Sequence, residues 1–425
     1  MSGSTRFDSL RLGTRRPLVR HTGIQRLVSQ GTGILPHGKS IGSLHQIPAG
    51  SIAVQFELAN LSTSETTRYN AAYALSTGIN DCFTPLNHSG VPDDSLWTPI
   101  TSGGSTTLTV PTAASALQPG LLVSDVMPFV YAPPARADGG TGICLFYRQY
   151  CLSGLHTIGN FDGTVGEWNG YKNGQSVGQF SMTFGGSWVS NGNFCVSGKF
   201  AHHDLESRTN VYAPNAVIPT VMSPTLTVMS VGDSILSGVA SRGNIDRGIN
   251  SVGLQLVKML DKPARPALHY NLALSGMANA NYIAGASSAI LTSVPDIILL
   301  QPYSPNDPDS TQPSVVWTEI QRSMTFAAQA ASLGAAVVLL TNPPYSGVGS
   351  VRSADIWEAS RTYANSIIKG SGLPTVDVDM VAGTGSNPVN YRVDLSDDSI
   401  HLNETGAKVL ATAAAEVIAK SYGFV

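Results

Sequence analysis

The feature that most narrows the fold is a change of pattern after Pro224. From there to the end, short apolar runs alternate with stretches whose apolar residues recur at helical spacing. Strands are predicted at residues 226–231, 269–274, 297–300, 335–340 and 375–378. Between them, Ile249, Val252, Leu256 and Leu260 stripe one helix, and residues 278–292 form a second from small residues. Val316, Ile320, Met324, Ala327 and Ala331 mark a third, and Ile356, Ser360, Tyr363 and Ile367 a fourth. Leu410, Ala414, Val417 and Ile418 carry the last, with Lys420 suited to its negative end and Gly423 just beyond. Strands that are apolar throughout must be covered on both faces, so the pattern predicts an α/β unit built on a doubly wound, five-stranded parallel sheet.

The first half reads differently. Residues 1–45 are polar and rich in Gly, Ser and Arg, without sustained periodicity, and are expected to be an arm or linker. From Ser51 the pattern has period two, with Ile52, Val54, Phe56 and Leu58 alternating with Ala53, Gln55 and Glu57. Further strands are predicted at 106–110, 121–129, 143–150, 179–184 and 194–200, separated by turn-rich segments. Short strands with many Gly and Pro breaks indicate a β-sandwich or jelly-roll. The long loop 154–174 carries Trp168 and Tyr171 among glycines, which either present aromatic faces to a sugar or pack as a surface excursion. Pro214, Pro219 and Pro224 mark a boundary. The expected organisation is therefore an arm (1–45), a β-sandwich-like accessory domain (46–220) and an α/β domain (221–425).

Composition removes several functional classes. Only 12% of the 425 residues are charged and the net charge is −3, which gives no electrostatic case for binding nucleic acid or an anionic membrane. No window approaches the ~18 consecutive apolar residues that membrane insertion needs, and the first residues lack the apolar core of a secretory signal. Low charge without such a signal suits an extracellular or virion-associated setting reached by lysis. Cys82, Cys144, Cys151 and Cys195 allow one or two disulfides, with buried free thiols the preferred alternative; zinc spacings are absent.

Ligands of parallel α/β sheets bind beyond the carboxyl ends of the strands, so the residues that follow each strand matter most. They are Gly232-Asp233-Ser234, Ser275-Gly276, Asn306-Asp307 after 301–305, Asn342-Pro343-Pro344, and Asp398-Ser399-Ile400-His401. Ser234 is the candidate nucleophile. A serine hydroxyl needs a base to take its proton, and His401 is the imidazole expected on that rim, His269 lying at the start of its strand. A third group must hold the second ring nitrogen; Asp394 and Asp397 compete for this, but the (i, i+3) spacing favours Asp398. The backbone N–H groups of Ser234 and Gly276 and the side-chain amide of Asn306 are candidate oxyanion donors. Gly276 as a plain turn glycine and Asn306 as a loop cap are the structural alternatives.

These blocks resemble the SGNH, or GDSL-like, hydrolase superfamily: VGDSIL at 231–236, NLALSG at 271–276, Ser304-Pro305-Asn306-Asp307, and Asp398-Ser399-Ile400-His401, in the family's order. The resemblance implies a flavodoxin-like three-layer fold and a cofactor-free esterase. In it Ser234, His401 and Asp398 would form the triad, with Ser234, Gly276 and Asn306 as the oxyanion hole. One departure stands out, because the third block usually opens with Gly and here carries Ser304; its Cβ bears on how Asn306 is aimed. Leu236, at the last glycine position of a G-x-S-x-G elbow, disfavours the ordinary α/β-hydrolase arrangement. Members with added β-domains look like carbohydrate esterases, including phage tail enzymes. The expected activity is thus hydrolysis of small acyl esters, an O-acetylated carbohydrate above all, through a covalent acyl-enzyme. The alternatives are a lipase or thioesterase on the same triad, or an adhesive glycan-binding protein with a silent hydrolase domain. The expected partner is an acylated small molecule or polysaccharide, with oligomerisation left open.

Overall fold

The computed structural model describes residues 21–22, 25–26, 34–36, 38–47, 50–60, 62–77, 84–114, 120–134, 143–157, 159–160, 186–191, 193, 195–197, 210–211, 216–221, 225–238, 251–260, 262, 265, 267–274, 276–292, 294–307, 312–344, 354–385 and 390–423. The predicted residues 179–184, Trp168, Tyr171 and Cys82 lie outside them.

The C-terminal unit is a three-layer α/β fold. Its strands are β1 (Leu226–Val231), β2 (Ala267–Asn271), β3 (Ile297–Leu300), β4 (Ala336–Leu340) and β5 (Thr375–Val376). They pair in the order β2-β1-β3-β4-β5, all parallel. This is the flavodoxin-like order, in which the chain reverses direction of travel at β1/β3 and opens a crevice there. The helices are α1 (Ser234–Ser237), α2 (Val252–Leu260), α3 (Asn279–Thr292), α4 (Pro313–Ser332), α5 (Ala354–Gly370), α6 (Val378–Ala382) and α7 (Glu404–Tyr422).

Strand alternation sorts the core into two layers. Val228, Leu299 and Val338 face Leu256 of α2 and Leu410 and Ala414 of α7. Met229, Ile298 and Val337 face Ile283 of α3 and Phe326 of α4. Pro313 opens α4, where its missing N–H costs nothing. Asn403 caps α7 by accepting the Gly406 N–H at 3.0 Å, and Gly423 ends that helix in the left-handed conformation. The fifth strand is shorter than predicted, because α6 begins at Val378.

The N-terminal unit is a β-sandwich. One sheet orders His21–Thr22, Ala216–Val221, Ser51–Asn60 and Met127–Pro128, with Gly120–Val123 also paired to Ser51–Asn60. The other orders Gly186–Asn191, Lys39–Ile47, Ile143–Ser153, Thr67–Ser76 and Thr98–Pro99, with Leu108–Val110 beside Thr67–Ser76. Every pairing in both is antiparallel. Phe56 of the first sheet meets Tyr147 of the second with ring centroids 5.1 Å apart, in a core shared with Val54, Leu58, Tyr73 and Leu145.

Four expectations are corrected. The arm expected over 1–45 is not an arm at its C-terminal end, since Lys39–Ile47 is an inner strand paired on both sides. The boundary prolines do not all lie in a linker; Pro219 sits within the strand Ala216–Val221, opposite Val54. The strand predicted at 121–129 is broken into Gly120–Val123 and Met127–Pro128. Within 194–200, the described residues Cys195–Ser197 form a bend rather than a strand. Cys144, Cys151 and Cys195 are buried. Among the described residues no helix is long and apolar enough to cross a membrane.

The inner face of α2 is set by a glycine. A Cβ at Gly253 would lie 2.2 Å from both His269 Nε2 and Ser230 Oγ, which are buried and 2.9 Å from each other. Gly253→Ala should therefore destabilise the protein by about 1–3 kcal/mol, the usual cost of overpacking. Chemical denaturation of the two proteins, monitored by far-UV circular dichroism, measures it; an unchanged midpoint would contradict this packing.

Candidate active site

Every candidate residue from the sequence stands beyond the carboxyl end of a strand. β1 ends at Val231, Gly232 and Asp233 turn the chain, and Ser234 is the first residue of the one-turn helix α1. Asp233 caps that turn, its Oδ1 accepting the Ile235 N–H at 2.9 Å. Gly238, with φ of 88°, ends it. The Ser234 hydroxyl is thereby held at the rim, half-buried.

His401 reaches it from the loop before α7. His401 Nε2 lies 3.1 Å from Ser234 Oγ, and Nδ1 lies 2.8 Å from Asp398 Oδ2. A carboxylate only accepts, so the ring proton sits on Nδ1, and Nε2 is left to accept from the serine hydroxyl. The other oxygen, Asp398 Oδ1, accepts the backbone N–H groups of Ile400 at 2.9 Å and His401 at 2.7 Å. Closing this tight turn places Ser399 at φ 61°, a left-handed conformation that costs a serine energy and marks a segment held by its surroundings. Partial burial pushes the Asp398 carboxyl up. The hydrogen bonds from the His401 ring, the two backbone N–H groups and the nearby imidazole outweigh this and hold it below the ordinary carboxylate range. Asp394 turns instead to Arg392, at 2.8 Å. Asn403 Nδ2 donates to Asp397 Oδ1 at 3.4 Å.

His269 is a core residue in mid-strand. Burial drives its pKa down to about 3, so the imidazole bonded to Ser230 is neutral.

Gly276 follows β2. Its φ of 71° requires glycine, although a Cβ there would meet nothing within 4 Å. Leu272 and Leu274 donate to the carbonyls of Ser230 and Gly232 at 2.9 and 2.8 Å, which carries this segment alongside the end of β1. Gly276 and Asn306 are exposed.

Beneath these groups lies a buried polar network that the sequence reading did not assemble. Asp233 Oδ2 accepts from Gln301 Nε2 at 3.1 Å and from Ser304 Oγ at 2.5 Å. The Ser304 oxygen in turn accepts from the Asn306 backbone N–H at 3.0 Å and from Asn306 Nδ2 at 3.2 Å. Asp307 Oδ2 accepts the Ser304 N–H at 2.8 Å, and Oδ1 the Asn279 N–H at the start of α3 at 2.6 Å. Asp233, Ser304 and Asp307 are fully buried. Burial pushes the Asp233 carboxyl above its ordinary range, opposed by the hydrogen bonds of Ser304, Ile235 and Gln301 and by nearby His401. The available signal was positional: Gln301, Ser304 and Asp307 directly follow the wholly apolar strand Ile297–Leu300. Polar groups delivered into a buried crevice have to satisfy one another.

A hydroxyl, an imidazole and a carboxylate in this order can move a proton off the hydroxyl as its oxygen attacks an electrophilic carbon. Among the described residues no group of three or more His, Cys, Asp or Glu is placed to hold a metal ion.

Asp307 sets a pH dependence of the fold. Burial outweighs the Asn279 and Ser304 N–H donors and raises its pKa to about 7. The fold therefore favours the protonated acid. That contribution to stability is complete below about pH 4, the unfolded value, and is lost as pH rises through about 7. Between pH 5 and pH 8 the melting temperature of the wild type should fall more steeply than that of Asp307→Asn. Parallel slopes in thermal melts would contradict this.

No family model matches the chain, and none of the curated proteins compared with it is a match. Solved structures do match a part of it. A lipase/acylhydrolase from Enterococcus faecalis is 18% identical over 45% of this chain and 95% of that one, with a TM-score of 0.34. A GDSL-like lipase from Bacteroides thetaiotaomicron is 14% identical over 46% and 88%, with a TM-score of 0.35. An acetylxylan esterase from Geobacillus stearothermophilus is 16% identical over 46% and 95%, with a TM-score of 0.33. These are what just under half of the chain is similar to.

Proposed function

We propose that the chain is a serine esterase that hydrolyses small acyl esters, acetyl above all, carried on a carbohydrate. The observation that carries this is the line of hydrogen bonds from Ser234 Oγ through His401 to Asp398, at the carboxyl rim of the sheet. In the first half-reaction Ser234 Oγ attacks the ester carbonyl while His401 Nε2 takes its proton. The resulting oxyanion is met by the N–H groups of Ser234 and Gly276 and by the Asn306 amide. His401 then gives the proton to the departing alcohol oxygen, leaving Ser234 acylated. In the second, His401 takes a proton from water as it attacks the acyl carbon, and returns it to Ser234 as the acid leaves. Asp398 orients the ring and stabilises the imidazolium in both steps. No cofactor enters this scheme.

Exposure of Gly276 and Asn306 supports access by an ester on a bulky polymer. A second reading has its own support. Met380 and Val393, both large and apolar, stand 83% and 91% exposed on the segment between β5 and Asp398, which favours a longer acyl chain. Chain-length preference separates the two: a sharp loss of rate from p-nitrophenyl acetate to octanoate supports the acetylesterase, and retained rate the lipase. Acetate release from a panel of O-acetylated polysaccharides then identifies the carrier.

Ser234→Ala should cut p-nitrophenyl acetate hydrolysis by at least about 10³-fold with the circular dichroism spectrum unchanged. Near-wild-type turnover in that variant removes the proposal. The mechanism needs an unprotonated base to take the serine proton, so kcat/KM should decline on the acid side. A flat profile from about pH 5 to pH 9 would contradict it.

A further inference from the structure

Ser304 occupies a position where the resemblance leads one to expect glycine, and its hydroxyl is the junction of the buried network. A hydroxyl has one proton and two lone pairs. The proton goes to Asp233 Oδ2 at 2.5 Å, the shorter of its two acceptors, the Met277 carbonyl being at 3.4 Å. Both lone pairs are then used by one residue, through the Asn306 backbone N–H at 3.0 Å and side-chain Nδ2 at 3.2 Å. The same carboxylate, through Oδ1, holds the Ile235 N–H beside the nucleophile. One buried carboxyl therefore grips the Ser234 turn directly and the Asn306 turn through Ser304.

We propose that Ser304 is a positioning residue that aims the Asn306 amide at the oxyanion, relaying the pull of Asp233. The statement rests on the esterase reading above, in which Asn306 is an oxyanion donor. Its physical basis has three parts. Asn306 is solvent-exposed, and an exposed amide without a tether samples several rotamers, whereas a useful oxyanion donor must be fixed before the charge develops. Two hydrogen bonds from one residue to one oxygen fix both its backbone and its side chain. Donation by Ser304 to the Asp233 carboxyl polarises the hydroxyl and makes its oxygen a stronger acceptor, so the tether is firmer than an unengaged serine would give. One Nδ2 hydrogen is spent on the tether, and the second remains for the substrate. The hydroxyl thus supplies what the expected glycine cannot, and its Cβ is accommodated in a fully buried position.

The test is a double-mutant cycle on the full-length protein. Removing an oxyanion donor outright costs roughly 10²–10³ in kcat, so Ser304→Ala, which leaves Asn306 present but unaimed, should lower kcat on p-nitrophenyl acetate about 10- to 100-fold with KM within about twofold. In an Asn306→Ala background the same change should cost less than about twofold, because the residue it acts through is gone. A crystal structure of Ser304→Ala should show the Asn306 amide displaced or spread over several rotamers. Wild-type kcat in Ser304→Ala, losses that multiply across the cycle, or an Asn306 amide unmoved in the crystal would each overturn the proposal. If the wild type hydrolyses no ester, the esterase reading fails, and the position of the Asn306 amide in the variant still decides the tether. Should Ser304→Ala not fold, Asp233→Asn tests the same relay from its other end. That change forces Ser304 to spend a lone pair on the new amide or lose its acceptor, and should lower kcat through Asn306 in the same non-multiplying way; full kcat there would overturn the relay.

Discussion

Asp233 puts a carboxyl in the floor of the site, out of water, and its donors come from the loops after both β1 and β3. Ile235 supplies a backbone N–H from the Ser234 turn, while Gln301 and Ser304 reach across from the end of β3. Leaving such a group short of donors would cost several kcal/mol, so the loops after β1 and β3 can close only in mutual register. Asp307 repeats the device one layer out, joining the Ser304 turn to the first residue of α3. Asn279 continues it inward, its Nδ2 donating to the Pro302 carbonyl at 2.7 Å and to Ser323 Oγ of α4 at 2.6 Å. The rim is built as one connected polar body resting on an apolar sheet.

That sheet explains why the rim is where it is. In the β2-β1-β3-β4-β5 order, β1 lies between strands whose crossover helices leave on opposite faces, and the loops after β1 and β3 part around a crevice. Ser234 enters from one side and Asn306 from the other. The loop ahead of α7 crosses the top with Asp398 and His401, held by the Asn403 N–H donating to the Leu395 carbonyl at 3.0 Å. The strain at Ser399 is affordable because Asp398 Oδ1 ties down the two residues that follow it.

How much of this could be read in advance depends on how local each signal is. Ile297–Leu300 was legible to the residue because four apolar residues between polar loops admit no other parallel strand register. Ser234, Asp398 and His401 were legible because strand ends expose them to a positional argument, and the (i, i+3) spacing selects Asp398 over its neighbours. Thr67–Ser76 gives a weak strand signal, since Ala71, Ala72 and Ala74 are weak strand formers; burial between Ile143–Ser153 and its other neighbours overrides that preference. The Ser and Gly residues of Lys39–Ile47 hide its alternation in the sequence, and only pairing on both sides makes it an inner strand.

The sequence alone determined the α/β class of the second half, the β-rich class of the first and the residues at the rim, because periodicity and strand ends are properties of consecutive residues. Which atoms meet was decided by tertiary structure. In sequence, Ser304 bears on the aim of Asn306 only through its Cβ; in the fold its hydroxyl is the group that holds Asn306. The reason is that a buried charge selects its partners by proximity across the sheet, and Asp233 and Ser304, 71 residues apart, are neighbours only once β1 and β3 have paired.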